Sequence, residues 1–263
     1  MHIALSIASS DPTGGAGLQA DLQVFRALGV HGTGVIAALT IQDSKEVHQV
    51  LPVFPSVLLD QLRTLLSDVR PHAIKLGALA SDDIVRNVSL GLEGVPPDIP
   101  IVLDPILFSS SGTPLLERRA WETLKTLCGT CRLVTPNLPE AEALSGCDVS
   151  RRSGVEAAAR FFVEELGAGA VLVKGGHGSD ETVADLLATP NPRGELTFDW
   201  LESPRVSAGP VHGTGCALSS AITARLALGA SLDEAVADAR SFVAAAIEAA
   251  RPLGGGARFL VYS

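Results

Sequence analysis

The chain has 263 residues, 46% of them hydrophobic and 19% charged, with 26 Gly and 16 Pro spread without a low-complexity run, a composition that excludes intrinsic disorder and a fibrous repeat. Twenty Lys and Arg against 29 Asp and Glu give a formal charge of −9, and the basic residues are scattered, so nucleic acid is not an expected partner. The longest apolar runs, such as Phe242 to Ile247, fall far short of the roughly 20 residues that a membrane-spanning helix requires.

Met1 to Leu5 carries no basic segment and only a short apolar run, so it does not read as a signal peptide, and cytoplasmic residence is expected. From there, apolar runs of strand length alternate with amphipathic segments of helix length. The spacing predicts a strand over Ile3 to Ile7, a helix over Ala16 to Leu28, a strand over Gly34 to Leu39 and a short edge or flap strand over Glu46 to Pro52. Helix Ser56 to Asp68, strand Ala73 to Leu76, helix Ser81 to Leu90, strand Ile101 to Leu103 and helix Pro114 to Leu127 follow. Next come strand Leu133 to Thr135, helices Pro139 to Ser145 and Ser153 to Leu166, strand Ala170 to Val173 and a second flap strand over Glu195 to Leu201. Two Ala-rich helices, Thr214 to Leu228 and Ser231 to Ala250, complete the pattern. Ser153 with Glu156 and Ser231 with Glu234 have capping-box spacing. Strands this apolar suit a mainly parallel sheet covered on both faces, and no linker divides the chain, so one α/β domain over residues 1–263 is expected.

Ligands of an open α/β sheet bind beyond the carboxyl ends of its strands. After the first strand lies the glycine-rich loop Ser9-Ser10-Asp11-Pro12-Thr13-Gly14-Gly15-Ala16-Gly17, which matches neither a dinucleotide fingerprint nor a Walker A loop. Asp21 follows one turn into the helix, where a carboxylate also serves as dipole compensation. Gln42, at the end of the next strand, can offer a flat heterocycle both a donor and an acceptor. Asp104 and Asn137 to Glu140 end two further strands. Their carboxylates suit water-mediated Mg²⁺ binding, and Asn137 and Glu140 equally suit a helix cap. Lys174-Gly175-Gly176-His177 lets an ammonium and bare backbone approach a phosphate together. His212-Gly213-Thr214-Gly215-Cys216 opens a helix with free backbone N–H groups aimed outward, an arrangement built to hold an anion, and Cys216 at that terminus is expected to have a lowered pKa. Cys128 and Cys131 have the spacing of a redox or half-zinc motif, but no second pair accompanies them, and no metal or disulfide is expected there.

Ser9 to Asp21, Gln42, Lys75-Leu76-Gly77, Asp104-Pro105, Thr135 to Ala141, Lys174 to His177 and His212 to Cys216 stand in the order found in hydroxymethylpyrimidine/phosphomethylpyrimidine kinases of thiamine synthesis, which the chain resembles over nearly its whole length. The resemblance implies a ribokinase-like three-layer α/β/α sandwich, ATP and Mg²⁺ as cofactors, a small pyrimidine as substrate and a homodimer. It implies that Gln42 pairs with the aminopyrimidine edge, that Asp21 lies near the hydroxymethyl group, and that Gly15, Ala16 and Ala78 line the substrate pocket. Gly213, Thr214, Gly215 and Cys216 would hold the transferring phosphoryl group, with Cys216 as base. Lys174, Asn137 and Glu140 would face the nucleotide, and Asp104 with Glu140 would organise Mg²⁺ through water. Ser9, Asp43 and Ala78 replace the family's usual Gly, Asn and Met, Gly209-Pro210-Val211 replaces its Asn-Thr, and Gly254 to Phe259 lacks its His. A pyridoxal or pyridoxine kinase and a non-catalytic pyrimidine-binding paralogue are the alternative readings.

Overall fold

The computed structural model describes residues 1–176, 181–206 and 209–262. Strand β1 (Ile3–Ser10) leads through helix α1 (Gly17–Ala27) into β2 (His31–Gln42), which folds back on β3 (Val47–Pro52). Helix α2 (Pro55–Asp68), β4 (Ala73–Leu76), α3 (Asp82–Leu92), β5 (Ile101–Leu103), α4 (Trp121–Cys128), β6 (Leu133–Val134), α5 (Leu138–Ser145) and α6 (Arg152–Arg160) follow. Then come β7 (Val171–Val173), the antiparallel pair β8 (Thr182–Pro190) and β9 (Leu196–Pro204), β10 (Val211–His212), α7 (Thr214–Ala227), α8 (Leu232–Glu248), β11 (Arg251–Pro252) and β12 (Arg258–Phe259).

Among the described residues, nine strands form one sheet in the order β3-β2-β1-β4-β5-β6-β7-β8-β9, and β10, β12 and β11 form a small second sheet. Strands β2, β1, β4, β5, β6 and β7 pair in parallel, with antiparallel pairs at both edges. The period-two alternation of the strands sorts the core into two layers. Leu5, Ile7, Ile74, Leu76, Ile101, Leu103 and Val171 pack with Leu58, Ile84, Val88, Leu124, Ala141 and Phe162 of the helices on one face. Ala4, Ala73, Val102, Leu133 and Leu172 point the other way, against α1, α7 and α8. Both faces of the sheet are thus covered, which is why the central strands are apolar throughout, and the expected three-layer α/β/α sandwich holds. The chain leaves β1 toward β2 on one side and returns to β4 on the other, so the topological switch point lies at the carboxyl end of β1.

Three local expectations need correction. The helix expected over Pro114 to Leu127 begins only at Trp121, after a 3-10 turn at Arg118–Ala120. Before that turn the backbone finds partners in neighbouring loops: the Leu115 and Leu116 N–H groups donate to Leu107 and that of Glu117 to Ala80. Ser153 does not cap α6, because Arg151 occupies the cap position and Glu156 instead accepts the Trp200 indole N–H. Strand β8 was not expected, since its apolar run is interrupted by Asp185, yet it pairs with β9 along nine residues. The Ser231 and Glu234 capping box forms as expected.

Candidate active site

A cavity of about 620 Å³ opens at the carboxyl ends of β1, β2 and β5 and the start of α7. Its walls include Ala16, Gln42, Ala78, Asp104, Lys174 and Cys216. A larger cleft at the opposite strand ends, lined by His2, His72 and Arg132 among others, contains none of the expected site residues.

Gly213 holds φ +80° as the residue before α7, and a Cβ there would stand 1.8 Å from the Gly15 carbonyl oxygen. Only glycine fits this turn, which seats the helix terminus against the β1–α1 loop and leaves the first N–H groups of α7 facing the cavity. Across from it, the Lys174 ammonium donates to Asp104 Oδ1 at 2.7 Å, and a Cβ on Gly215 would lie 3.3 Å from Lys174 Nζ. Ser219 Oγ, one turn further along α7, donates to Asp104 Oδ2. Lys174, Asp104 and the cradle therefore form one unit, with Lys174 positioned by the end of β7 and Asp104 by the end of β5. His177 lies outside the described residues.

Asn137 and Glu140 cap α5 reciprocally: the Glu140 N–H donates to Asn137 Oδ1 and the Asn137 N–H to Glu140 Oε2. Glu140 is nonetheless part of the electrostatics of the site. Burial raises its pKa to about 7, Lys174 opposes that rise and Asp104 adds to it. Two carboxylates facing one ammonium across a polar cavity leave room for further positive charge, so the donor set fits a hydrated divalent cation.

Gln42 reaches the cavity because β2 alternates: Leu39 and Ile41 point outward while Thr40 and Gln42 point inward. One end of its amide lies 3.2 Å from Thr40 Oγ1 and the other 3.0 Å from His212 Nε2. His212 packs edge-on against Phe259 of the small second sheet.

The structure corrects three site expectations. Asp21 is wholly buried and outside the cavity lining. Its oxygens are taken by Lys75 Nζ at 2.7 Å, Ser220 Oγ at 2.7 Å and Ser6 Oγ at 2.6 Å. Gly15 backs the pocket without lining it, because a Cβ there would meet Phe259 and His212. The Cys216 pKa is raised to about 11, the reverse of the expected lowering, since burial outweighs the Lys75 ammonium and the Gly17 amide that favour the thiolate. Cys128 and Cys131 are buried thiols with raised pKa, and the Cys131 thiol donates to the Leu127 carbonyl. Among the described residues no cluster of three or more His, Cys, Asp or Glu could hold a metal.

Lys75, Asp11 and Thr40 also contribute individually, through Asp21, His212 and Gln42 respectively, and were not among the residues expected to act at the site. The Asp11-Pro12-Thr13-Gly14 sequence carries a signal, since Asp two residues before a hydroxyl and three before a glycine favours an Asx-type turn. Lys75 inside an apolar strand carries another.

Backbone built to hold an anion, at the strand ends of this sheet order and beside a buried ammonium, defines a phosphoryl-transfer site of the ribokinase-like type. The sequence profile of the phosphomethylpyrimidine kinase family matches residues 11–260. A hydroxymethylpyrimidine/phosphomethylpyrimidine kinase of Staphylococcus aureus is 38% identical over 256 residues, 97% of this chain and 91% of the relative. The structure of Bacillus subtilis pyridoxal kinase in complex with ADP superposes with a TM-score of 0.88 at 32% identity, covering 100% of this chain and 98% of that one. Phosphomethylpyrimidine kinase of Clostridium difficile gives 0.81 at 34% identity, covering 94% and 100%. The chain belongs to the phosphomethylpyrimidine kinase family, and it is a kinase.

Proposed function

We propose that the protein transfers the ATP γ-phosphoryl group to the hydroxymethyl oxygen of 4-amino-5-hydroxymethyl-2-methylpyrimidine, and then to a phosphate oxygen of the monophosphate, in thiamine synthesis. The observation that carries this reading is the placement of the α7 cradle and Lys174 at one end of a cavity whose wall holds Gln42. Phosphoryl transfer demands positioning and charge stabilisation more than a strong base. The N–H groups of Gly213 to Cys216 hold the transferring phosphoryl oxygens, and Lys174 neutralises the nucleotide phosphates. The hydroxymethyl oxygen bonds to phosphorus, the bond from phosphorus to the ADP oxygen breaks, and the hydroxyl proton passes to the Cys216 thiolate. Asp104 and Glu140 would hold Mg²⁺ through water, with Asn137 orienting Glu140; the ion would supply charge neutralisation of the phosphates. Gln42 pairs with the aminopyrimidine edge, and Ala16 and Ala78 bound the ring. Asp21 takes no part in substrate contact.

Pyridoxal is the second substrate to consider, because Ala78 leaves space beside the ring and the Bacillus subtilis pyridoxal kinase has the same fold. Incubation with ATP and each alcohol, followed by phosphorus NMR, separates the two readings. The pyrimidine should yield ADP and a monoester and then a diphosphate. Phosphorylation of pyridoxal at a higher kcat/KM than the pyrimidine would overturn the assignment.

We further propose that the protein works in the cytoplasm as a homodimer. No described helix is long and apolar enough to cross a membrane, and an apolar face on β2 and β3 supports self-association.

A further inference from the structure

Asp11, Thr40, Gln42 and His212 form one hydrogen-bonded cluster in the cavity wall. Asp11 is 3% exposed. Burial raises its pKa, but hydrogen bonds from His212 and Thr13 outweigh that and hold it below the ordinary value, so it stands as a carboxylate. Its Oδ1 accepts the Thr13 N–H at 2.8 Å, and its Oδ2 accepts the Ala16 N–H at 2.9 Å. His212 Nε2 lies 3.0 Å from the same Oδ2. A carboxylate only accepts, so this ring nitrogen must carry the proton. An amide NH₂ group 3.0 Å from this protonated Nε2 would set one N–H against another, so the Gln42 end that lies there is the amide oxygen, which shares the single Nε2–H with Asp11 Oδ2.

The other end is decided independently. Thr40 Oγ1 donates to the Ser10 carbonyl at 3.0 Å, which uses the one hydroxyl proton. The amide end 3.2 Å from Thr40 Oγ1 therefore has to be the NH₂ group, with Thr40 accepting. The two ends of an amide have the same shape, and the proton count distinguishes them. Both counts turn the oxygen toward His212 and the nitrogen toward Thr40. Each end keeps one further site, and together these make an edge with the acceptor on the His212 side and the donor on the Thr40 side.

We propose that His212, held in its Nε2–H form by Asp11, is a specificity residue that locks the Gln42 amide in one orientation and selects rings presenting an exocyclic donor beside a ring-nitrogen acceptor. The inference rests on Gln42 recognising the ring. A 4-aminopyrimidine has this order. The corresponding 4-oxo ring, with an oxygen acceptor beside a protonated ring nitrogen, has the reverse order and leaves buried polar groups unpaired.

The test compares kcat/KM for 4-amino-5-hydroxymethyl-2-methylpyrimidine and its 4-oxo analogue. The wild type should favour the amino ring by about a hundredfold or more, as expected of a site built around specific hydrogen bonds. His212→Leu frees the amide to turn over, so the ratio should fall by at least about tenfold, with a gain in kcat/KM for the oxo ring. A purely structural role would depress both substrates together and produce no gain. Asp11→Asn should move the ratio in the same direction. Retention of the wild-type ratio in both variants would overturn the lock. A measurement on the wild type alone is independent of variant folding: long-range ¹H–¹⁵N NMR of the imidazole should show Nε2 as the protonated nitrogen, and a lone-pair signal there would overturn the proposal. Gln42→Leu separates the two levels. A ratio that survives it removes the ring-recognition reading and the lock with it; one that collapses there but survives His212→Leu and Asp11→Asn removes the lock alone.

Discussion

Cys216 lies where burial and helix polarity oppose each other, and burial prevails. A thiol with its pKa near 11 is almost entirely protonated at neutral pH. If its thiolate is the base, the active fraction grows as pH rises, so kcat should climb between about pH 6 and 9 by up to tenfold per unit, with no plateau before the thiol titrates. Cys216→Ala should lower kcat by roughly a hundredfold or somewhat more and flatten this profile, leaving both KM values nearly unchanged. Cys216→Asp should retain partial activity and shift the profile toward acid, because a carboxylate is already ionised at neutral pH. Steady-state assays across pH decide the matter: a Cys216→Ala enzyme within about threefold of wild type would exclude the base role. Placement of Gln42, Lys174 and Asp104 at the site was legible because each follows a strand end, and strand ends follow from the apolar pattern. Asp21 was not legible in this way. Its partners Lys75 and Ser220 are 54 and 199 residues distant along the chain, so only the assembled sandwich reveals that its oxygens are already used.

At the scale of elements, the segment after α8 closes over the loop between β2 and β3. The Gly256 N–H donates to Ser44 Oγ at 3.1 Å and the Ala257 N–H to the Ser44 carbonyl at 2.9 Å, while a Cβ on Gly256 would stand 2.0 Å from that carbonyl oxygen. This close approach leaves room only for glycine at position 256. Gly256→Ala should detach the strap and loosen the loop that follows Gln42. The expected result is a several-fold rise in pyrimidine KM with little change in melting temperature, and faster tryptic cleavage at the exposed Lys45. Unchanged cleavage and KM would show that the strap does not govern the loop. Helices and central strands could be read from periodicity because burial on one or both faces dictates it. Strand β8 and the stretch before α4 escaped for other reasons: Asp185 breaks the apolar run of β8, which is held by its hairpin neighbour β9, and the backbone before α4 finds its partners at Leu107 and Ala80 and follows no periodic pattern.

For the whole molecule, the alternation that turns Thr40 and Gln42 into the cavity also turns Leu39 and Ile41 to solvent, each 50% exposed. Leu39 pairs with Leu51 on β3, itself 41% exposed, and Phe54 lies just beyond at 79%. A contiguous apolar face on an edge hairpin favours association, and a two-fold arrangement would set the patch of one copy on the same patch of another. Light scattering after gel filtration should give twice the 27.2 kDa chain mass. Each copy carries a formal charge of −9, so the two repel at long range, and salt should strengthen the dimer by screening that repulsion while leaving the apolar contact intact. Ile41→Asp places a further negative charge on the patch and should yield a monomer. Because Gln42 is the next residue, a loss of pyrimidine affinity in that monomer would reveal that association also steadies the recognition edge. A wild-type monomer at all salt concentrations, or an Ile41→Asp variant that remains dimeric, would exclude this face as the interface.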